Sequence, residues 1–311
     1  MNEFGLIKKY FYRASKQPGV VVGNGDDCAI LSPPENQQLA MSIDTLVAGI
    51  HFDDTFSPED IGYKSLAVNL SDLAACGAEP AWAMLSLTLP NADENFLSGF
   101  SKGFFTLFEK FPMTLIGGDL TQGPLSITVQ VTGFTPTPLL RKGAKVGDAV
   151  YVTHELGDAV LALQYLQKKI TLSKIEAKQV LPRLYRPTPR IEAAILLRNI
   201  ATSCIDISDG LYGDLGHILE ASHVGAEINV DQIPISNTLK KQSLELQRLA
   251  ALHSGDAYEL CFTAPESIAL PPLPCAVKKI GRIVKNSGIV LLDQHKKLIK
   301  VPGKSFQHFD K

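Results

Sequence analysis

Between residues 40 and 134 the apolar residues change period repeatedly, and this restricts the fold more than any other feature of the 311-residue chain. Residues 40–43 read as a short strand that ends at Asp44. Residues 59–76 read as a helix, with Ile61, Leu66, Leu70, Leu73 and Ala74 on one broad apolar face. Gly77 supplies its stop. Residues 82–89 alternate as a strand does and end at Pro90. Residues 96–111 form a second helix. Residues 114–116 read as a short strand running into Gly117-Gly118-Asp119. Residues 125–134 alternate again, with Ile127, Val129 and Val131 on one side and Ser126, Thr128, Gln130 and Thr132 on the other. Strand-helix-strand-helix-strand-strand suits an α+β layer with its helices on one sheet face.

Pro136, Pro138 and the polar run 141–148 mark a domain junction. Two mixed domains are therefore expected, residues 1–137 and 138–311, in keeping with the usual domain size. The second restarts with a strand at 149–153 and a helix at 158–167. Further helices are read at 189–198 and 213–221, and strands at 204–207, 227–230, 260–263, 277–283 and 289–292. The order of those strands in a sheet is not legible from sequence.

The formal net charge is -2, so no global attraction to nucleic acid or to an anionic membrane is expected. Residues 1–13 lack the unbroken apolar stretch of a signal peptide. No segment approaches the roughly 20 apolar residues of a spanning helix. A soluble, cytoplasmic protein is expected. Five cysteines, Cys28, Cys76, Cys204, Cys261 and Cys275, are widely spread without a Cys-x-x-Cys pair. Neither a disulfide framework nor a zinc site is indicated.

The common phosphate-binding signatures are absent: no Walker A loop, no G-x-G-x-x-G opening a helix, and no protein-kinase catalytic set. What the chain has instead is a series of aspartates among small residues. Asp26 and Asp27 lie in Gly25-Asp26-Asp27-Cys28-Ala29, Asp44 in Ser42-Ile43-Asp44-Thr45, and Asp72 in Asn69-Leu70-Ser71-Asp72. Asp119 closes Gly117-Gly118-Asp119, and Asp206 and Asp209 bracket Asp206-Ile207-Ser208-Asp209-Gly210. Several follow a predicted strand, where rigid scaffolds present site residues. Asn69 and Asp72 share a helical face. Taken singly, each Gly-Asp is an ordinary turn, and the repetition carries the signal. Converging carboxylates repel and need cations. Magnesium suits them, because it takes oxygen ligands and shares carboxylates with substrate phosphates. The residues by themselves point to a divalent-metal phosphate site.

These motifs, in one order along nearly the whole chain, resemble the thiamine-monophosphate kinase family, within the superfamily that includes aminoimidazole ribonucleotide synthetase. The resemblance also covers the stretch from Ser42 to His51-Phe52, the segment Arg141-Lys142-Gly143-Ala144-Lys145-Val146-Gly147-Asp148, Tyr258-Glu259-Leu260, and Phe306-Gln307-His308-Phe309. It implies two domains of the aminoimidazole ribonucleotide synthetase-like type, and a homodimer formed through the N-terminal sheet. It implies direct phosphoryl transfer from ATP to thiamine monophosphate, giving thiamine diphosphate, with several magnesium ions and no phosphoenzyme. Carried over by motif, Asp27, Asp44, Asp72, Asp119, Asp206 and Asp209 become magnesium ligands, joined by Ser42 and the Ile43 carbonyl. Gly118, Asp119, Arg141 and Ser208 contact ATP. His51 and Phe306 hold the thiamine phosphate.

Asp256 and Glu259 fall on the acceptor side, where Glu259 reads either as a substrate contact or as a strand-end charge. The chain departs from the family there. Ser254-Gly255-Asp256-Ala257-Tyr258-Glu259-Leu260 stands where Gly-Gly-Glu-Asp-Tyr-Glu-Leu is usual, and Ser305 replaces a glycine. Two other readings remain at this point. One is another ATP-dependent enzyme of the superfamily with a different acceptor. The other is a non-catalytic nucleotide-binding dimer, against which the number of retained acids argues. Selenophosphate synthetase fits poorly, because its reactive Cys and nearby Lys are not evident.

Overall fold

The structure is a computed structural model that describes residues 2–13 and 19–303. Chain contacts divide it into two compact units. One holds the described residues up to Leu73 together with Ala78–Pro136, and the other holds Ala74–Gly77 and the described residues from Thr137 onward. Among the described residues no helix is long and apolar enough to cross a membrane.

The first unit opens with a short helix α1 (Glu3–Leu6), continued by a π-helical turn at Ile7–Phe11, and a small antiparallel pair, β1 (Val20–Val22) and β2 (Ile30–Leu31). Then come β3 (Gln38–Val47), α2 (Pro58–Ala75), β4 (Glu79–Leu89), α3 (Glu94–Lys110), β5 (Thr114–Gln122) and β6 (Ser126–Thr135). The larger sheet has the order β3-β6-β4-β5, with only β4 and β5 parallel.

One face of this sheet is the core: Ile127, Val129 and Val131 of β6 and Ala83, Leu85 and Leu87 of β4 are all buried. The other face leaves Met41 at 65%, Ile43 at 63% and Met84 at 40% exposure. The helices α2 and α3 approach with almost no side-chain spacing. A Cβ on Gly62 would stand 2.0 Å from the Phe100 carbonyl oxygen, and one on Gly103 only 1.8 Å from that of Glu59. The glycines at both positions are therefore a packing requirement. They let α2 be buried along nearly its whole length, Lys64 included.

Two predicted strands prove longer than their sequence suggests. The strand read at 40–43 does not end at Asp44: β3 continues to Val47, paired residue by residue with β6. The strand read at 114–116 does not turn at Gly117: β5 carries the Gly-Gly-Asp motif inside the strand, paired to β4 across a bulge. Glycine is a poor strand former in isolation, but a neighbouring strand supplies the hydrogen bonds that local propensity omits.

The second unit contains β7 (Asp148–Thr153), α4 (Asp158–Leu166), α5 (Lys174–Tyr185), α6 (Ile191–Leu197), β8 (Ser203–Asp206), α7 (Leu211–Ser222), β9 (Gly225–Asn229), α8 (Leu244–His253), β10 (Leu260–Pro265), β11 (Val277–Val284) and β12 (Gly288–Leu292). Its sheet runs β12-β9-β11-β7-β10-β8 and is antiparallel except between β12 and β9. Val150, Val152, Ile205, Ile280 and Ile283 from the strands pack with Leu211, Leu215 and Ile218 of α7. Two helices, α5 and α8, have no counterpart in the sequence reading. The first begins with a reciprocal capping box between Ser173 and Glu176, which is a local signal.

Candidate active site

In the first unit, β3 and α2 bring three of the expected ligands together. The Asp44 N–H points off the open edge of β3 and donates to Asn69 Oδ1 at 3.0 Å. The Asn69 amide in turn donates to the Ser65 carbonyl at 3.0 Å, which locks it on the buried helix. One turn on, the Asp72 carboxylate accepts a short hydrogen bond from the Ser42 hydroxyl. Asp44 is left half-buried beside Asp72. Its carboxyl is pushed up to about 6, first by burial and then by the negative charge of Asp72. Ile43, whose carbonyl was the expected ligand, points its side chain to the opposite, exposed face.

His51 sits in the turn after β3. Its Nδ1 accepts from the Val47 N–H at 3.0 Å, which places the proton of the neutral ring on Nε2. The turn is backed by Phe52 and Phe56, whose ring centroids are 6.4 Å apart. The buried Lys64 ammonium lies 5.4 Å from the Phe56 centroid.

At the opposite sheet edge a second group forms. The Asn24 side-chain amide donates to the Leu115 carbonyl at 3.0 Å and draws the loop carrying Asp26 and Asp27 against β5. In that loop the Asp26 carboxylate accepts from the Asp27 N–H at 2.8 Å. Asp27, Gly118 and Asp119 line a cavity of about 880 Å³ with an apolar wall that includes Phe4, Met84 and Leu115. Gly118 has φ +152°, and a Cβ there would fall 1.9 Å from the Leu85 carbonyl oxygen. No side chain fits at that point of the strand.

The two groups are not one site within this unit. The strands β3 and β5 are the two edges of the sheet, three strand spacings or roughly 14 Å apart. The pairing register also puts Asp44 on the pleat side of Val129 and Leu85, and Asp119 on that of Thr128 and Ser86. Among the described residues, no three His, Cys, Asp or Glu side chains converge closely enough to hold a metal ion by themselves.

In the second unit Asp206 ends β8 and is buried, while Ser208 and Asp209 are half-buried in the loop before α7. Asp256 lies alongside: its N–H donates to the Ser208 carbonyl at 2.8 Å. Asp256 and Tyr258 both have positive φ, +60° and +49°, an uncommon conformation for non-glycine residues. Arg141 is exposed. Its carbonyl accepts from the Ser222 hydroxyl at 3.3 Å, at the far end of α7. A 12-residue helix spans about 18 Å, so Arg141 and Ser208 are not brought together.

Glu259 is a correction. It was expected among the acceptor contacts, but it is 2% exposed and both of its oxygens are engaged inside the protein. Arg190 grips it with two hydrogen bonds of 2.6 Å, the Thr153 hydroxyl donates a third at 2.6 Å, and Arg183 stands 3.8 Å away. Burial raises its proton affinity and Arg190 opposes that. Phe306, the other expected acceptor contact on this side, lies outside the described residues. Arg190 and Asp214 are the residues that sequence reasoning missed. Asp214 had a local signal, four residues after the glycine that opens α7, whereas Arg190 meets Glu259 only through the fold.

Residues 25–135 match the AIR synthase related protein N-terminal domain family, and residues 145–293 its C-terminal domain family. The thiamine-monophosphate kinase of Salmonella typhimurium is 50% identical over 270 residues, covering 85% of this chain and 83% of the relative. The chain belongs to the thiamine-monophosphate kinase family. The solved thiamine-monophosphate kinase from Stenotrophomonas maltophilia superposes with a TM-score of 0.84 at 40% identity, over 89% of this chain and 92% of that one. The solved AaThiL complexed with AMPPCP and TMP gives 0.81 at 30% identity, over 98% and 96%. The two domain families correspond to the two mixed α/β units described above, so the kinase family membership extends over both.

Proposed function

We propose that the chain transfers the γ-phosphoryl group of ATP to the phosphate of thiamine monophosphate, producing thiamine diphosphate and ADP. The Salmonella relative bears the name of this activity. The AaThiL structure holds an ATP analogue together with TMP. The observation in this molecule that carries the reading is the Ser42, Asp44 and Asp72 cluster, a half-buried group of oxygens whose second carboxylate opposes ionisation of the first.

The chemistry explains why no general base stands out. A phosphate monoester has its second pKa near 6, so the attacking oxygen is already anionic at neutral pH. It bonds to the γ-phosphorus as the bond to the β,γ-bridging oxygen breaks, and ADP leaves with that electron pair. The obstacle is repulsion between two anions, which positioning and opposite charge overcome. A cluster of hard oxygens with two facing carboxylates fits magnesium. In the first unit Asp44, Asp72, Ser42 and the Ile43 carbonyl would hold it in one group and Asp27 and Asp119 in the other; in the second unit the ligands would be Asp206 and Asp209. When bound, magnesium neutralises and orients the β- and γ-phosphate oxygens. His51 donates from Nε2 to the acceptor phosphate, and Arg141 and Ser208 contact ATP.

The two acidic groups at opposite edges of the sheet are joined, in this reading, by a second copy of the chain. The exposed Met41, Ile43 and Met84 face is the surface that the copy covers. Mixing subunits tests this. Asp44→Asn and Asp119→Asn are each inactive alone. After unfolding, mixing and refolding, mixed dimers contain one intact shared site, so about a quarter of wild-type activity returns. No recovery, with mixed dimers present, defeats the shared site. For the acceptor, ADP release is measured with thiamine monophosphate, thiamine, and nucleotide intermediates of purine synthesis. Turnover with the first alone supports the assignment, and turnover with either other class alone overturns it.

A further inference from the structure

The loop before α7 has three consecutive main-chain amides engaged by one side chain. The Asp214 carboxylate, 3% exposed, reaches back from the first turn of α7 and accepts from three consecutive N–H groups. These are Ser208 at 3.1 Å, Asp209 at 3.2 Å and Gly210 at 3.1 Å. On its other side the Ser208 carbonyl accepts from Asp256 at 2.8 Å, and the Ile207 carbonyl accepts from Tyr258 at 2.7 Å. Gly210, at φ +124°, lets the chain bend into the helix where a Cβ would stand 2.9 Å from the main chain of His253.

Three convergent amides at the start of a helix form the arrangement that binds phosphate directly in many folds. Here the anion is a side chain of the protein. A phosphate cannot share those donors, so this loop offers a nucleotide only its side chains. We propose that Asp214 is a positioning residue of the phosphoryl-transfer site. Its buried carboxylate takes the anion position at the start of α7, which fixes Ser208 and Asp209 so that their side chains, and not main-chain amides, meet the metal-bound nucleotide.

This rests on the reading of Ser208 and Asp209 as nucleotide and metal residues, and the test separates the two. Steady-state kinetics are run on wild type, Asp209→Asn, Asp214→Asn and Asp214→Ala. Asp214→Ala raises the KM for Mg-ATP roughly tenfold, the low end for loss of an outer-sphere partner, while the acceptor KM stays within about twofold. Asp214→Asn keeps an oxygen toward the amides and retains most of the wild-type affinity. In Asp214→Ala the vacated amides also bind inorganic phosphate, which raises its melting temperature in the absence of nucleotide. Wild type shows no such rise.

An unchanged Mg-ATP KM in Asp214→Ala, or equal rises in both KM values, overturns the proposal if Asp209→Asn still raises the KM for Mg-ATP. An Asp209→Asn variant with wild-type kinetics overturns the reading of the loop itself, and the proposal with it. If Asp214→Ala does not fold, Asp214→Ser, whose hydroxyl accepts from one amide, is held to the same outcomes.

Discussion

Asp44 in the first unit is half-buried and Glu259 in the second fully so, and burial raises the proton affinity of each. They differ in what surrounds them. Glu259 is answered inside the protein by the two-pronged Arg190 contact and by Thr153. Asp44 is faced by a second carboxylate, Asp72, which pushes its proton affinity further in the same direction. A buried charge completed by the protein is part of the architecture. A carboxylate opposed by its neighbour takes up a proton or a cation, which is the ground for placing Asp44 in the proposed ligand set. Both acids lie in family motifs, and the charges that face them differ.

The comparison breaks most visibly at Arg190. Arg190→Ala strands the Glu259 charge in the interior, and removing one partner of a buried pair costs about 3–5 kcal/mol. Chemical denaturation is expected to show that loss, and Arg190→Met combined with Glu259→Gln to recover part of it, since neither charge then remains. A wild-type midpoint for Arg190→Ala would mean that Glu259 is not held as described.

Asp72→Asn tests the other side. At limiting magnesium its turnover is expected to fall by at least about 100-fold, in the range seen when a group stabilising transition-state charge is removed. The melting temperature should remain at or above that of wild type, because the change relieves repulsion. Undiminished turnover in a magnesium titration would remove Asp72 from the proposed ligand set.

The smallest effect sharpens the contrast through pH. The folded-state pKa of Asp44 is raised from 3.8 to about 6. Between those values the folded protein holds a proton that the unfolded chain has released. In metal-free protein, stability from this group is therefore present below about pH 4 and is lost as pH rises through about 6. At 1.36 kcal/mol per unit the loss is on the order of 2–3 kcal/mol at most. Asp44→Asn should then melt a few degrees above wild type at pH 7.5 after chelator treatment, and the gap should close near pH 4. A gap that is the same at both pH values would contradict the burial of Asp44 beside Asp72.

Much of the first unit was legible in the sequence because its signals are local. The period of α2, the alternation in β6 and the Gly77 stop depend on neighbours a few residues away, and the structure reproduces their order. The errors lie where a distant strand decides. Asp44 and Gly117-Gly118-Asp119 read as turns because aspartate and glycine resist strands, yet β6 and β4 pair through them. The helix α5 was missed although its Ser173 and Glu176 capping pair was in plain sight.

The order of the aspartates and the glycines beside them are covalent facts, and they are the ground on which phosphate and metal are proposed here without any coordinates. How they are deployed is a matter of the fold. Sheet order places Asp44 and Asp119 on opposite edges, α2 delivers Asp72 to Ser42, and the start of α7 turns Asp214 onto three amides. The physical reason is that strand order and burial are properties of contacts between residues far apart in the chain. A carboxylate's role follows from the charges and dipoles that the fold brings to it, and those are not its sequence neighbours.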